Sequence, residues 1–450
     1  MPSGLRSRGC DACRKQRKKC DQWHPKCKRC TRLDIPCVGN GLKRWKFQAF
    51  QPDSSSSQPL EGPGRVPSNE TTLITSALIS ILEIDDERHD IRFCGPHFIP
   101  ELPRRIGLNP SFDASISAMV AAYNSIALRK PQKNALTLYG TALGALRTSL
   151  QDPKQSVALK METVIVMFIC QMWIDRKHAE KHREVMAHLL EQIIVQDKLS
   201  EIDPRNIRAI CMQVIYGSLS DPKIELGSWF WDTASKEVMS ARPQPYRPGG
   251  RANLITLELG TMAELSTFLR DPERYLYQLK CHYNILSLER PVLRLIVEQL
   301  EPVARSLEAT LTTKKAFISY AAAYGGLLSQ TALVSPVLEA FGVHSSYTKD
   351  SHEFCDEAVK IAHQCRSFRP CGAAWVPELL KLTWASVKDA YRHKEIKELI
   401  AEYEQDVEGG NYLEEARDIR DRFDRLGWSG EPRFMDGEKR SEKPPECVIL

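Results

Sequence analysis

Six cysteines close to the N-terminus follow a repeated spacing. They are Cys10, Cys13, Cys20, Cys27, Cys30 and Cys37. The gaps between the first three recur unchanged between the last three, so this segment is an internal duplication. Clustered thiolates are typical ligands of zinc, which takes four of them in a tetrahedral site. The spacing therefore predicts a metal site with two related halves.

The number of cysteines limits how zinc is bound. One tetrahedral zinc would leave two of the six thiolates unused, and two separate zincs would need eight. Six thiolates are enough for two zinc ions if two of the thiolates bridge both metals. His24 is another candidate ligand, but six thiols already complete the count and its position before Pro25 suits an exposed loop. The segment has few apolar residues, Leu33 and Ile35 among them, so zinc must supply most of its folding free energy.

The charge of the chain is unevenly distributed. Residues 1–50 hold 14 Lys and Arg against 3 Asp and Glu, whereas the other 400 residues hold 48 against 54. Six thiolates and two zinc ions would change the N-terminal balance from +11 to about +9. A basic head on a slightly acidic body predicts a polyanion-binding module attached to a larger globular region.

The two halves of the cysteine segment differ in the residues that follow their second cysteine. After Cys13 the chain reads Arg14, Lys15, Gln16, Arg17, Lys18 and Lys19, whereas the six residues after Cys30 are mostly apolar or neutral. We expect a cationic helix over residues 14–19 that enters the major groove of double-stranded DNA. There Arg and Lys side chains bind guanine O6 and N7.

The segment Gly9–Gly39 resembles the binuclear-cluster domain of the fungal Zn(2)Cys(6) transcription regulators. The resemblance implies that Cys10 and Cys27 bridge the two metals. It also implies that Arg17, with Gln16 before it, reads a CGG-type triplet. Gln pairs better with adenine than with guanine, so the second base contact stays open. Arg14, Lys15, Lys18 and Lys19 are the candidates for phosphate contacts, with Lys18 a possible substitute reader.

For function, the resemblance implies a nuclear, sequence-specific DNA-binding regulator of RNA polymerase II genes. The alternative is a zinc-dependent protein-interaction module without sequence-specific DNA binding. We expect no enzymatic activity, because the chain has no phosphate-cradling glycine loop and no nucleophile elbow. Three histidines, His178, His182 and His188, have part of a metal-binding spacing, but an amphipathic helix is the favoured interpretation.

Beyond the head, apolar residues recur at helical spacing from about Thr71 onward. The predicted apolar faces include Leu73, Ala77, Leu78, Ile81 and Leu82 at the start of the body, and near the C-terminus Ile396, Leu399, Ile400 and Tyr403, then Leu413, Ala416, Ile419, Phe423 and Leu426. The fold class is therefore mostly α: a small two-zinc domain, a flexible linker and a large all-α regulatory domain. The predicted divisions are residues 1–50 (DNA binding), 51–70 (Ser/Pro/Gly-rich linker), 71–430 (helical body) and 431–450 (polar tail). Within the body, residues 83–153, with the run Arg104 to Pro110, resemble the helical regulatory region of one branch of these regulators.

Oligomeric state and membrane contact are predicted from weaker patterns. Heptads with apolar a and d positions are not evident after residue 71, so monomeric binding and a homodimer through the helical body both stay open. The longest apolar run, Val164 to Cys170, is interpreted as too short to cross a bilayer, and no stable membrane association is expected. The ending Cys447 to Leu450 matches a prenylation box at Cys447, but a chance match is favoured.

Overall fold

The computed structural model describes residues 9–39, 69–95, 98–128, 133–176, 180–202, 204–220, 224–233, 254–343, 346–407 and 410–428. The chain divides into two compact units, Met1–Pro67 and Ser68–Leu450. All the regular elements in the described residues are helices, so the mostly α fold class is confirmed.

The described part of the first unit holds two short helices, α1 (Asp11–Lys15) and α2 (Lys28–Arg32). Its core consists of cysteine side chains, and Ala12 and Ile35 pack against them. Because so little apolar surface is buried here, the unit depends on whatever holds the cysteines together.

The second unit is a stack of helices. They are α3 (Glu70–Leu82), α4 (Pro110–Ala127), α5 (Lys133–Gln151), α6 (Val157–Ile174), α7 (Glu180–Val195), α8 (Pro204–Ser220), α9 (Ser228–Thr233), α10 (Leu259–Arg270), α11 (Leu276–Arg305), α12 (Leu311–Ala340), α13 (Ser346–Cys365), α14 (Val376–Ser386), α15 (Ala390–Glu404) and α16 (Tyr412–Arg425). Short 3₁₀ helices, such as Ile91–Cys94 and Ile255–Leu257, connect several of them.

Several helix starts are fixed by their capping residue. The Asn69 side chain accepts from the backbone N–H of Thr72, and Asn109 accepts from that of Ser111, with Pro110 at the first helical position. Such caps satisfy backbone donors that have no partner inside the helix. On α3 the predicted apolar face is only partly confirmed, because Leu78 and Ile81 are buried but Leu73 is exposed.

The central helix of the N-terminal half of the body is α6. The expectation that its apolar run is too short to cross a bilayer is wrong. The helix has 18 residues and a mean hydropathy of 1.7, so by length and composition it is able to span a membrane. It is nevertheless 89% buried inside the body, as a core helix is. Against it pack α4, α5 and α7.

The C-terminal half is built around the long helices α11 and α12, which pack side by side. Helix α12 is buried on nearly every face from Phe317 to Ala340, and α13, α14 and α16 pack around it. The predicted stripe on α15 (Ile396, Leu399, Ile400 and Tyr403) is confirmed as buried. On α16 the predicted residues Ala416, Ile419 and Phe423 are buried, whereas Leu413 and Leu426 are only partly buried.

Some predictions fall outside the described residues. They are residues 51–68 of the predicted linker, His178, and the polar tail with Cys447. The last two residues of the predicted linker are described, and there Asn69 caps α3 and Glu70 begins it.

Candidate metal centre and nucleic-acid interface

The two halves of the cysteine segment have the same backbone geometry. Helix α1 begins after Cys10 and α2 begins after Cys27, 17 residues later. Two residues after each helix ends there is a residue with a left-handed backbone, Arg17 with φ of 51° and Asp34 with φ of 48°, again 17 residues apart.

The same hydrogen bond closes both turns. The Lys18 N–H donates to the Cys13 carbonyl at 2.8 Å, and the Ile35 N–H donates to the Cys30 carbonyl at 3.1 Å. The internal duplication inferred from cysteine spacing is therefore confirmed in the backbone.

The six sulfurs come together as two overlapping groups of four. One group is Cys10, Cys13, Cys20 and Cys27, and the other is Cys10, Cys27, Cys30 and Cys37. Within each group the Sγ atoms all lie within 4.8 Å of one another. The groups share Cys10 and Cys27, whose Sγ atoms are 3.8 Å apart. Four sulfurs at this separation suit one tetrahedral ion. Two such groups that share two sulfurs use six thiolates in all, which is the number needed for two zinc ions with two bridging thiolates.

Four of the six side chains are fully buried: Cys10, Cys13, Cys27 and Cys30. Burial raises the pKa of the Cys13 thiol to about 12 and also raises that of Cys30. A buried thiolate without a counter-charge is unfavourable, so the cluster needs a cation to stay ionised.

The shared sulfurs have the opposite tendency. Cys27 caps α2, and the backbone N–H of Cys30 donates to its Sγ at 3.4 Å, which lowers the pKa of the Cys27 thiol. For Cys10, burial acts to raise the pKa, but hydrogen bonds led by the backbone of Cys13 outweigh it and lower the value. These donors favour the ionised form at the two sulfurs that both groups use.

The other sequence predictions for this segment have mixed outcomes. His24 is exposed, as expected, and its Nδ1 lies 3.3 Å from the Gln22 carbonyl rather than in either sulfur group. Ile35 packs on the cysteines, but Leu33 is 45% exposed, so its expected core role is wrong.

The predicted helix over residues 14–19 needs correction. Helix α1 ends at Lys15, Gln16 is its C-cap, and the chain turns at Arg17. The reason is geometric, because seven residues of continuous helix would carry Cys20 about 10 Å along the axis from Cys13. Both belong to one sulfur group, so the chain has to turn back before Cys20.

All six residues from Arg14 to Lys19 are exposed. Arg14 and Lys15 lie in the last helical turn, where cations are favoured by the helix dipole. Arg17 lies in the turn that follows, and Lys18 and Lys19 lie in the irregular segment before Cys20. The basic segment is thus continuous, although only its first part is helical.

Sequence reasoning missed that the second helix is also basic. It compared only residues after the second cysteine of each repeat, whereas α2 carries Lys28 and Arg29 before Cys30 and Arg32 after it. The loop before it is closed by Asp21, whose carboxylate accepts from the Lys28 N–H at 3.2 Å. Exposed Trp23 lies under the Lys28 ammonium group, 4.8 Å from the ring centre.

In the body, the histidine and cysteine candidates have ordinary structural roles. His182 is buried on α7 and its Nε2 lies 2.7 Å from the Tyr139 hydroxyl, while His188 is exposed beside Gln192. Cys355, Cys365 and Cys371 are buried.

The sulfur groups and the exposed basic segment define a thiolate metal-binding module that presents cations to a polyanion. Residues 8–46 match the fungal Zn(2)-Cys(6) binuclear cluster domain. The chain therefore carries the zinc-binding, DNA-binding domain of the fungal zinc-cluster transcription factors, a family that regulates transcription, is typically nuclear and is generally non-enzymatic. No curated protein and no solved structure matches the chain. The resemblance of residues 83–153 to a regulatory region stays a prediction.

Proposed function

We propose that the protein is a nuclear, sequence-specific regulator of genes transcribed by RNA polymerase II, and that it binds a CGG-type element in double-stranded DNA. The observation that carries this proposal is the exposed basic segment Arg14–Lys19, which is held at both ends by members of one sulfur group, Cys13 and Cys20. A segment fixed in this way loses little entropy when it enters a groove.

We assign two zinc ions to the six cysteines, with Cys10 and Cys27 as the shared ligands. The two overlapping groups of four sulfurs support this assignment. Zinc would act there as a structural ion that neutralises buried thiolates and fixes the turn at Arg17 relative to α1. The protein itself supplies the N–H donors at the shared sulfurs and the cationic surface.

On DNA, Arg17 is the proposed reader of guanine, with Gln16 beside it at the neighbouring base. Arg14, Lys15, Lys18 and Lys19 are the proposed phosphate contacts. Phosphate contacts strengthen binding to any sequence, whereas a bidentate Arg–guanine pair discriminates between bases by about 1–3 kcal/mol.

The rest of the chain is assigned by the same proposal. Residues 1–50 bind DNA, 51–70 connect, 71–430 form the regulatory body, and 431–450 are a polar tail. The body has no catalytic role in this proposal and contributes a homodimer contact.

The direct test is selection from randomised DNA duplexes by the full-length, zinc-loaded protein. We expect enrichment of a motif with a CGG triplet. Arg17→Ala should weaken binding to that motif by about 1–3 kcal/mol and spare random DNA. Lys15→Ala should weaken both equally, because it removes a phosphate contact. Selection without any enriched motif would reject the proposal and favour a zinc-dependent protein-interaction module.

A further inference from the structure

Helix α11 has one face buried in the body and one face that nothing in the described part of the chain covers. The buried side chains include Leu279, Tyr283, Leu286, Leu293 and Val297. On the opposite side, five large apolar residues are exposed: Tyr277, Leu288, Val292, Leu295 and Val303. We call these five the α11 stripe.

The stripe is a regular strip of helix surface. At 100° per residue, its members fall within a sector about 80° wide, centred between Leu288 and Val292. Leu288 is 75% exposed and Leu295 is 57% exposed. Leu288 and Leu295 are seven residues apart, Cys281 lies seven residues before Leu288, and Pro302 lies seven residues after Leu295. A seven-residue repeat is the one by which two helices pack along a seam. Single exposed apolar residues are ordinary, but five of them along one side of a helix, interrupted by exposed Gln299, form a strip of the kind that marks an interaction surface.

We propose that the α11 stripe is a self-association surface on which two copies of this chain pack with their α11 helices antiparallel. This proposal says where the two copies of the proposed homodimer meet, and its biological role rests on the proposed function. In the arrangement, the twofold axis passes midway between Leu288 and Leu295. Each of these side chains then packs against the other residue of the second copy, so one patch is complementary to itself.

The charges beside the stripe favour this orientation. One flank carries Lys280 near the N-terminal end of α11 and Glu298 near the C-terminal end, which are five full turns apart and so lie on the same side of the helix. In an antiparallel pair the same flank of both copies comes together, so Lys280 of one copy lies towards Glu298 of the other, whereas parallel packing would put this flank against the opposite one. Glu298 already pairs with Lys360 of α13 at 2.8 Å, which keeps its carboxylate on this flank.

The size of the stripe sets the expected strength. From Tyr277 to Val303 it is about 39 Å long and about 12 Å wide, or roughly 470 Å² per copy. Two copies would bury about 900 Å², below the roughly 1,200–2,000 Å² of stable specific interfaces. We therefore expect a weak, concentration-dependent dimer, which binding to two adjacent DNA sites would strengthen through effective concentration.

The first experiment is sedimentation equilibrium of the full-length, zinc-loaded protein over a wide concentration range. The apparent mass should rise from 51.1 kDa towards twice that value. Leu288→Glu with Leu295→Glu should weaken association at least tenfold, because it places carboxylates in an apolar interface. The matched control is Leu136→Glu with Leu143→Glu, a pair of exposed leucines seven residues apart on α5, which should associate as the wild type does. Circular dichroism confirms that both variants are folded.

A second experiment tests the orientation with variants that each carry one added cysteine and with a short bismaleimide cross-linker. Cross-linking of each variant is compared with that of the wild type, which already has 14 cysteines. Antiparallel packing places residue 292 beside its counterpart, whereas the two copies of residue 277 are about 44 Å apart. Val292→Cys should therefore cross-link and Tyr277→Cys should not. A wild type that stays monomeric, a stripe variant that still dimerises, or cross-linking through Tyr277→Cys would each overturn the inference.

Failure of the α11 proposal can be distinguished from failure of the proposed function. The stripe variants should bind a duplex with a single CGG triplet as tightly as the wild type does, because residues 9–39 are unchanged. A wild type that dimerises but prefers no DNA sequence rejects the DNA-reading proposal alone. A wild type that prefers a CGG duplex but stays monomeric at every concentration rejects the α11 proposal alone.

Discussion

Replacing Arg17 by glycine separates the fold of the zinc-cluster domain from its reading of DNA. Arg17 has a φ of 51°, a left-handed backbone that glycine adopts without steric cost. Arg17→Gly should therefore leave the free energy of unfolding within about 1 kcal/mol of the wild type. The lost guanidinium should cost about 1–3 kcal/mol on a CGG duplex, a roughly 5- to 150-fold weaker affinity.

The matched control is Asp34→Gly, the residue 17 positions later with a φ of 48°. It relieves the same backbone conformation in the other half of the domain, outside the basic segment. Removing its negative charge should leave DNA binding unchanged or slightly tighter. The assay is fluorescence anisotropy with a CGG duplex and a scrambled duplex, with zinc content measured by native mass spectrometry.

Equal weakening by Arg17→Gly on the CGG and scrambled duplexes would refute the reading role, since a phosphate contact behaves in that way. Loss of zinc from Arg17→Gly but not from Asp34→Gly would refute the claim that this turn only needs a left-handed residue.

Three further outcomes are expected. Zinc removal by a chelator should unfold the N-terminal domain and abolish DNA binding while the helical signal of the body persists, as circular dichroism will show. Gly325→Ala should destabilise the body by about 1–3 kcal/mol in chemical denaturation, because the added methyl group would overlap the Trp375 ring. In the neighbouring Gly326→Ala the methyl group has room, so this variant should stabilise α12 by up to about 1 kcal/mol. Burial lowers the pKa of His182 to about 4 from 6.5, so as the pH falls the unfolded state binds the proton first. The free energy of unfolding should therefore decrease as the pH falls from 6.5 to 4, by about 2 kcal/mol at pH 5. The variant His182→Gln should flatten this slope, and the control His188→Gln, at an exposed position, should not.

The cysteine cluster was predictable because ligand chemistry fixes it. Duplicated spacing and a coordination count were enough to expect two related metal sites, and the sulfur groups have that form. The end of α1 was not predicted, because charge alone suggests a helix up to Lys19. The requirement that Cys20 return to Cys13 decides the turn instead, and that requirement becomes visible only when the helix rise is compared with the metal distance.

In the body, periodicity identified helices that bury one face, such as α15 and α16. It gave no signal for α12, which is buried almost all round and so shows no alternation of apolar and polar faces. It also did not single out the α11 stripe, because spacing shows where apolar residues lie on a helix and not whether a neighbour covers them. Which face is covered depends on neighbours far away in the sequence.

Helix α6 shows how polar residues identify an apolar helix as part of a core. The Lys160 ammonium group donates to the carbonyls of Leu150 and Asp152 at the C-terminal end of α5. The buried Glu162 carboxylate pairs with Arg105 at 2.6 Å, and this contact opposes the burial that raises the pKa of Glu162. In a hydrocarbon layer both charges would need to find partners or lose their ionisation. Here each partner comes from a neighbouring segment of the body, so the charges that interrupt the apolar run also fix how α6 sits among its neighbours.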